Sequence, residues 1–157
     1  MPSKKLSARR ARSERATSSG PWLIHFFRRH PDDDTGEAVP ARGYLDGCPV
    51  AARLLAVIRA VADAPPPTFA GGGKWEAMHD EMAGFYEARI DGPHRRHYRL
   101  FCVLERDGKD LGLGGPSVVL ITGMDKPFRS IFKKSDYETA MRLGDEYRSR
   151  VPRSVLR

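Results

Sequence analysis

Three strand-like runs in close succession constrain this chain more than any other feature. Residues 84–90 (GFYEARI), 96–105 (RHYRLFCVLE) and 117–123 (SVVLITG) are rich in aromatic and β-branched side chains, the types that fit a pleated, half-buried surface. A turn centred near His94 separates the first two, and RDGKD (106–110) and GLGGP (112–116) lie between the second and third. Strands joined by such short connections pair antiparallel. A helix precedes them: in residues 50–64, Ala51, Leu54, Leu55, Ile58, Val61 and Ala62 recur at the three-four spacing of one buried stripe. Prolines at 65–67 stop it, because proline lacks a donor and restricts the residue before it. WLIHFF (22–27) reads as a first strand. A last helix begins near Ser135, where SDYE has the form of a capping box between Ser135 and Glu138. Tyr137, Ala140, Met141, Gly144 and Tyr147 line one face of it. The expected fold is α+β: a small antiparallel sheet in the order β-α-β-β-β-α, with the helices on one side.

The other segments read as connections. Residues 28–49 hold three prolines, three glycines and the triplet Asp32, Asp33, Asp34, the composition of an irregular surface loop. AGGGKWEAM (70–78) has the glycine run of a phosphate loop but not its GK[ST] ending or spacing. It reads as a flexible loop with Trp75 packed down onto the domain. The chain of 157 residues is read as one domain over 21–157, preceded by a disordered basic tail over 1–20. The Arg- and Ser-rich character of that tail is shared with organelle transit peptides. The formal charge is +7 and the pI about 9.7, but +5 of it falls in residues 1–19, which leaves +2 for the remaining 138. The position of the cations in the folded part therefore says more than their total. Cys48 and Cys102 form no CxxC pair, so neither a zinc framework nor a disulfide scaffold is expected. No run is long and apolar enough for a membrane span. The expected location is the cytoplasm, with no membrane partner.

Alternation then raises a question about charge. Phe85, Glu87 and Arg89 share one face of the first run of the three; His97, Arg99, Phe101 and Val103 share one face of the second. The other faces, Tyr86, Ala88 and Ile90 with Tyr98, Leu100, Cys102 and Leu104, are more core-like. A hairpin centred near His94 brings Arg89 opposite or diagonal to Arg99, a pairing of like charges that needs an anion nearby. Arg95 and Arg96 crowd the turn, and Lys126, Arg129, Lys133 and Lys134 follow the last strand with Phe128 and Phe132 interleaved. Arginines among aromatic rings suit single-stranded RNA, guanidinium on phosphate and ring on base. Plainer readings exist: Arg89 pairs with Glu87 or Asp91, and the two phenylalanines close the core. His94 and His97 have a ligand-like spacing, but no Cys or carboxylate completes a set, so no metal and no cofactor is expected.

The segments GFYEARI, HYRLFCVLERDG, VVLITGMDKPF and DYETAMRLGDEYRSR resemble the RelE/HigB superfamily of bacterial toxins, in its phage-derived HigB-type branch. The likeness covers residues 84–150 best. It implies a RelE-like fold and a type II toxin–antitoxin toxin: a metal-independent, ribosome-dependent mRNA endonuclease that inhibits growth. Its partners would be a cognate antitoxin protein and mRNA on the ribosome. In that chemistry the RNA 2′-hydroxyl attacks the adjacent phosphate to leave a 2′,3′-cyclic phosphate, which calls for a proton acceptor, a cation and a proton donor. The resemblance puts Arg99 on the phosphate or transition state, Arg89 beside it, Lys126 or Arg129 at the basic position after the last strand, and Phe132 near a stacking aromatic. Glu87 and His97 are candidates for the acid–base work from their place on the same face. Arg95, Arg96, Arg129, Phe132 and Lys133 are candidates for RNA binding. The tail SRVPRSVLR holds no histidine, so members that use a C-terminal histidine as acid are not matched. The alternative is a toxin or binding module without chemistry: a ParE-like gyrase inhibitor, or a protein that only binds RNA or a partner.

Overall fold

The structure is a computed structural model and describes residues 21–65 and 71–156; the expected tail at 1–20 lies outside them. Five strands form one sheet: β1 (Leu23–Phe26), β2 (Trp75–Ala77), β3 (Phe85–Asp91), β4 (Arg96–Glu105) and β5 (Ser117–Pro127). Three α-helices accompany it: α1 (Pro40–Asp46), α2 (Ala51–Asp63) and α3 (Lys134–Arg148). The spatial order is β1-β5-β4-β3-β2. β2 to β5 pair antiparallel, and β1 runs parallel to β5 at the edge. The α+β class holds, but the sheet is mixed rather than antiparallel. The parallel pair joins strands that are not consecutive: α1, α2 and β2 to β4 lie between β1 and β5, so no short turn forces that pair antiparallel.

Helices also cover both faces of the sheet rather than one. On the first face, Leu54, Val57, Ile58, Val61 and Ala62 of α2 and Ala41 and Leu45 of α1 bury against Ala88, Ile90, Tyr98, Leu100, Cys102, Val118 and Leu120. On the second, Ala140, Leu143 and Tyr147 of α3 bury against Phe85, Phe101, Val103, Val119 and Ile121. The run VVLI at 118–121 is apolar at every position because both of its faces are covered. Gly144 lets α3 come close: a Cβ there would stand 2.2 Å from the Phe85 ring.

Two stretches read as loops contain structure. Residues 28–49 include α1, which begins on Pro40 at its first turn, where a missing N–H costs nothing. The acidic triplet in that stretch is answered by neighbours: Asp33 accepts from Arg150 Nε at 2.9 Å, and Asp34 accepts from the backbone N–H groups of Gly36 and Ala38 at 3.2 and 2.9 Å. The AGGGKWEAM stretch includes β2, and Trp75 is buried and stacks on Tyr86 at 5.3 Å. The cap of α3 lies two residues earlier than SDYE suggests. Its N-cap is Lys133, and the Asp136 carboxylate, not Glu138, reaches back to the Lys133 N–H at 2.6 Å. The chain after α3 returns to the edge strand: Val155 bridges Phe27, and Leu156 N–H donates to Phe26 at 2.8 Å. Among the described residues no helix is long and apolar enough to cross a membrane.

Candidate functional site

α3 covers only one end of the second sheet face. Towards the β3–β4 turn that face turns polar, and there the register sets Arg89 directly opposite Arg99 and Asp91 opposite His97. Like charges directly opposite destabilise a sheet, and carboxylates surround both. Arg89 Nη1 donates to Glu76 Oε2 at 2.6 Å, and its Nε lies 3.6 Å from Glu87 Oε1. Arg99 Nη1 donates to Asp91 Oδ1 at 3.1 Å and to the Tyr98 carbonyl at 2.9 Å, with its Nε 3.9 Å from Glu87 Oε2. Glu87 thus stands between the two guanidinium groups. The Arg99 side chain is only 6% exposed, and these partners offset the cost of burying its charge. Burial pushes the Glu87 carboxyl above its ordinary value, and Arg99 and Arg89 pull it back only in part.

Rings and further charges close round this row. His97 Nδ1 lies 2.6 Å from Asp91 Oδ1, and its ring packs against Phe128 at 4.8 Å and Phe132 at 6.4 Å. Phe132 lies over the Arg99 guanidinium, 5.4 Å from ring centre to Cζ, and stacks on Tyr137 at 6.0 Å. Tyr137 in turn meets Phe101 edge-on at 5.8 Å. Burial, and then the Glu87 charge, raise the Tyr137 hydroxyl above its ordinary value. Lys126 Nζ reaches the same ring, 5.7 Å from its centre, while donating to Asp136 and to the Ile131 carbonyl. The hydrogen bond from Lys126, then the Lys133 N–H, hold Asp136 below the usual carboxylate range.

A β-bulge decides which residues of β5 belong here. Between Phe101 and Cys102 of β4 the register slips by one, so Ile121 and Thr122 together oppose Phe101. Before the slip the even-numbered Val118 and Leu120 face α2. After it Met124 and Lys126 stand opposite Arg99 and His97 and share their face. Lys126 is therefore a strand residue beside the arginines, not a residue of the loop after the strand.

The structure brings Arg89, Arg99, Glu87, His97, Lys126 and Phe132 to one patch. It does not bring Arg96 there. That side chain points to the opposite face, where its Nε donates to Asp125 at 2.5 Å. Arg95 and Arg129 are exposed at the rim and have no ion-pair partner among the described residues. The Arg95 carbonyl accepts from Phe128 N–H at 2.7 Å, which ties the β3–β4 turn to the Phe128–Lys133 loop. Lys133 is exposed at the start of α3. Glu76, Asp136 and Tyr137 also belong to the patch. In sequence Glu76 stands beside a glycine run and the other two stand at the start of a helix, so nothing local marks them. Asp91 was legible as a partner of Arg89, two residues away on the same face, yet its carboxylate goes to Arg99 and His97.

Such a patch holds two guanidinium groups, an ammonium, an imidazole, the Glu87 carboxyl that burial pushes above its ordinary value, and a half-buried ring. Its cations are matched by the carboxylates of Glu76, Glu87, Asp91 and Asp136. Comparison with protein families, with curated proteins and with solved structures found no match to this chain.

Proposed function

We propose that this protein is a toxin of the type II toxin–antitoxin kind, an mRNA endonuclease acting on the ribosome by 2′-hydroxyl attack, with a cognate antitoxin as its protein partner and the cytoplasm as its place of work. The observation that carries the reading is Arg99. It is a nearly buried arginine facing Arg89 across two strands, with Glu87 between them and Phe132 over its guanidinium. A scissile phosphate meeting Arg99 and Arg89 would exchange with their carboxylate partners and gain charge-assisted hydrogen bonds as the phosphorane forms. Lys126 and the rim residues Arg95, Arg129 and Lys133 would follow the neighbouring phosphates, and Phe132 would stack a base. Glu87, whose carboxyl holds its proton above the ordinary range, suits the donor to the leaving 5′-oxygen. His97 suits the acceptor of the 2′-proton. The resemblance of residues 84–150 to RelE/HigB toxins supports the same reading.

The test is primer extension on cellular mRNA after brief induction, parent beside Arg99→Ala. Discrete cuts within translated codons, abolished in the variant, are the expected result. Cuts of equal strength in both proteins would rule out this phosphate site. A second reading has its own observation: every cation at the centre of the patch already has a carboxylate partner, Glu76, Glu87, Asp91 or Asp136. Such a balanced surface also suits a module that binds without chemistry, such as a ParE-like gyrase inhibitor. Growth arrest with intact mRNA and accumulated DNA breaks would select it.

A further inference from the structure

One carboxylate oxygen connects the two halves of the site. Asp91 Oδ1 lies 2.6 Å from His97 Nδ1 and 3.1 Å from Arg99 Nη1. Asp91 is the last residue of β3 and His97 the second of β4, paired across the turn. The ring is held on its other side by Phe128 and Phe132. His97 Nε2 makes no hydrogen bond to the described residues, and the side chain is 27% exposed, so a ligand on the patch can reach it.

We propose that Asp91 is a positioning residue of this site: it fixes neutral His97 as the Nδ1–H tautomer and so leaves the Nε2 lone pair as the proton acceptor. The assignment rests on the ribonuclease reading above for its use, but not for its geometry. A carboxylate can only accept, so the nitrogen facing it must carry the hydrogen. Burial alone would raise the Asp91 carboxyl, but the hydrogen bonds from His97 and Arg99 outweigh it and hold the group ionised. Without such a partner an imidazole favours the Nε2–H form, which would present a donor, not an acceptor, to an RNA hydroxyl. In the step itself the 2′-O–H bond breaks and its proton passes to Nε2. The 2′-oxygen bonds to phosphorus, the P–O5′ bond breaks, and the leaving oxygen takes a proton from Glu87. The imidazolium formed keeps its Nδ1–H on the Asp91 carboxylate, and the charge created at Nε2 is met by a fixed anion instead of by reorganised water.

The experiment is nitrogen-15 NMR of the histidine rings at about pH 8, above the ordinary imidazole value of about 6.5, on the parent and Asp91→Ala, paired with single-turnover cleavage of mRNA at saturating programmed ribosomes. The inference expects Nδ1–H in the parent and Nε2–H in Asp91→Ala. Cleavage should fall about 100-fold in Asp91→Ala, at the low end for loss of a general base. Nε2–H in the parent, or the same tautomer in the parent and Asp91→Ala, overturns it. So does a tautomer change with an unchanged rate. A parent that cleaves no RNA counts against the ribonuclease reading alone, since the ring spectra still decide what Asp91 does to His97.

Discussion

At the scale of single residues, the patch separates groups that bind from groups that move protons. Phe132 touches the guanidinium of Arg99 and the ammonium of Lys126 through its ring face. Phe132→Ala should cost about 1–3 kcal/mol of affinity for a short single-stranded RNA, the usual worth of one stacked base, read by fluorescence anisotropy. Glu87→Gln keeps the shape and the hydrogen-bonding oxygen but has no acidic proton. Cleavage by it should fall by about 10²–10⁴, the span for a lost general acid, with RNA binding retained. An equal loss of affinity in the two variants would mean that Glu87 acts through Arg99 and Arg89 rather than on the leaving oxygen. Alternation along GFYEARI and RHYRLF was enough to place Glu87, Arg89, His97 and Arg99 together. The pairing of Arg89 with Glu76, on a separate strand of three residues, was beyond it, because a contact thirteen residues away depends on sheet order.

At the scale of elements, β5 shows how a local irregularity is functional. Simple alternation from Val118 and Leu120 would send Lys126 to the α2 face. The bulge at Ile121 and Thr122 reverses the parity and places Lys126 opposite His97. The same reversal sends Gly123 to the α1 face, where the Tyr44 ring lies so close that a Cβ would stand 2.1 Å from it. The Tyr44 hydroxyl donates to the Met124 carbonyl at 3.1 Å, which fixes α1 on the strand just behind the site. A glycine inside a strand often marks such an approach. Gly123→Ala should therefore destabilise the fold by about 1–3 kcal/mol, as overpacking does, despite alanine's better fit to a strand. Urea unfolding of the variant is the measurement, and an unchanged midpoint would show that Tyr44 swings away freely. The glycine was visible in the sequence; the ring that requires it was not.

At the scale of the whole molecule, paired carboxylates set the response to acid. Four aspartates are held below their ordinary 3.8: Asp33 by Arg150, Asp34 by the Ala38 and Gly36 N–H groups, Asp136 by Lys126, and Asp91 by His97 and Arg99 against the opposing effect of burial. Each favours the folded state fully above that value and loses its contribution as the pH falls through its depressed folded value. Glu87 has the opposite sign. Raised above its ordinary 4.5, it favours the fold when protonated and loses that contribution as the pH rises through its folded value. With four groups against one, thermal melts should show a Tm that falls as the solution is acidified below pH 3.8. A Tm flat down to the lowest pH tested would mean that these aspartates are equally paired in the unfolded chain. Asp33 and Asp34 sit in a stretch of prolines and glycines, yet Arg150, the partner of Asp33, and Arg29, which faces Asp34 and pairs with Glu146 at 2.7 Å, tie that stretch to the end of α3.

The sequence by itself determined the α+β class, the amphipathic helix read over 50–64 and found at 51–63, the three long strands and the face that carries Arg89, Arg99, Glu87 and His97. These follow from periodicity, which is written residue by residue. Only the tertiary structure decided that β1 pairs parallel with β5, that α3 covers the second face of the sheet, that a bulge brings Lys126 to the site, and that Glu76 and Asp91 neutralise the arginines. Each of these depends on which distant segments become neighbours, a choice set by packing both sheet faces at once and carried by no single stretch of chain.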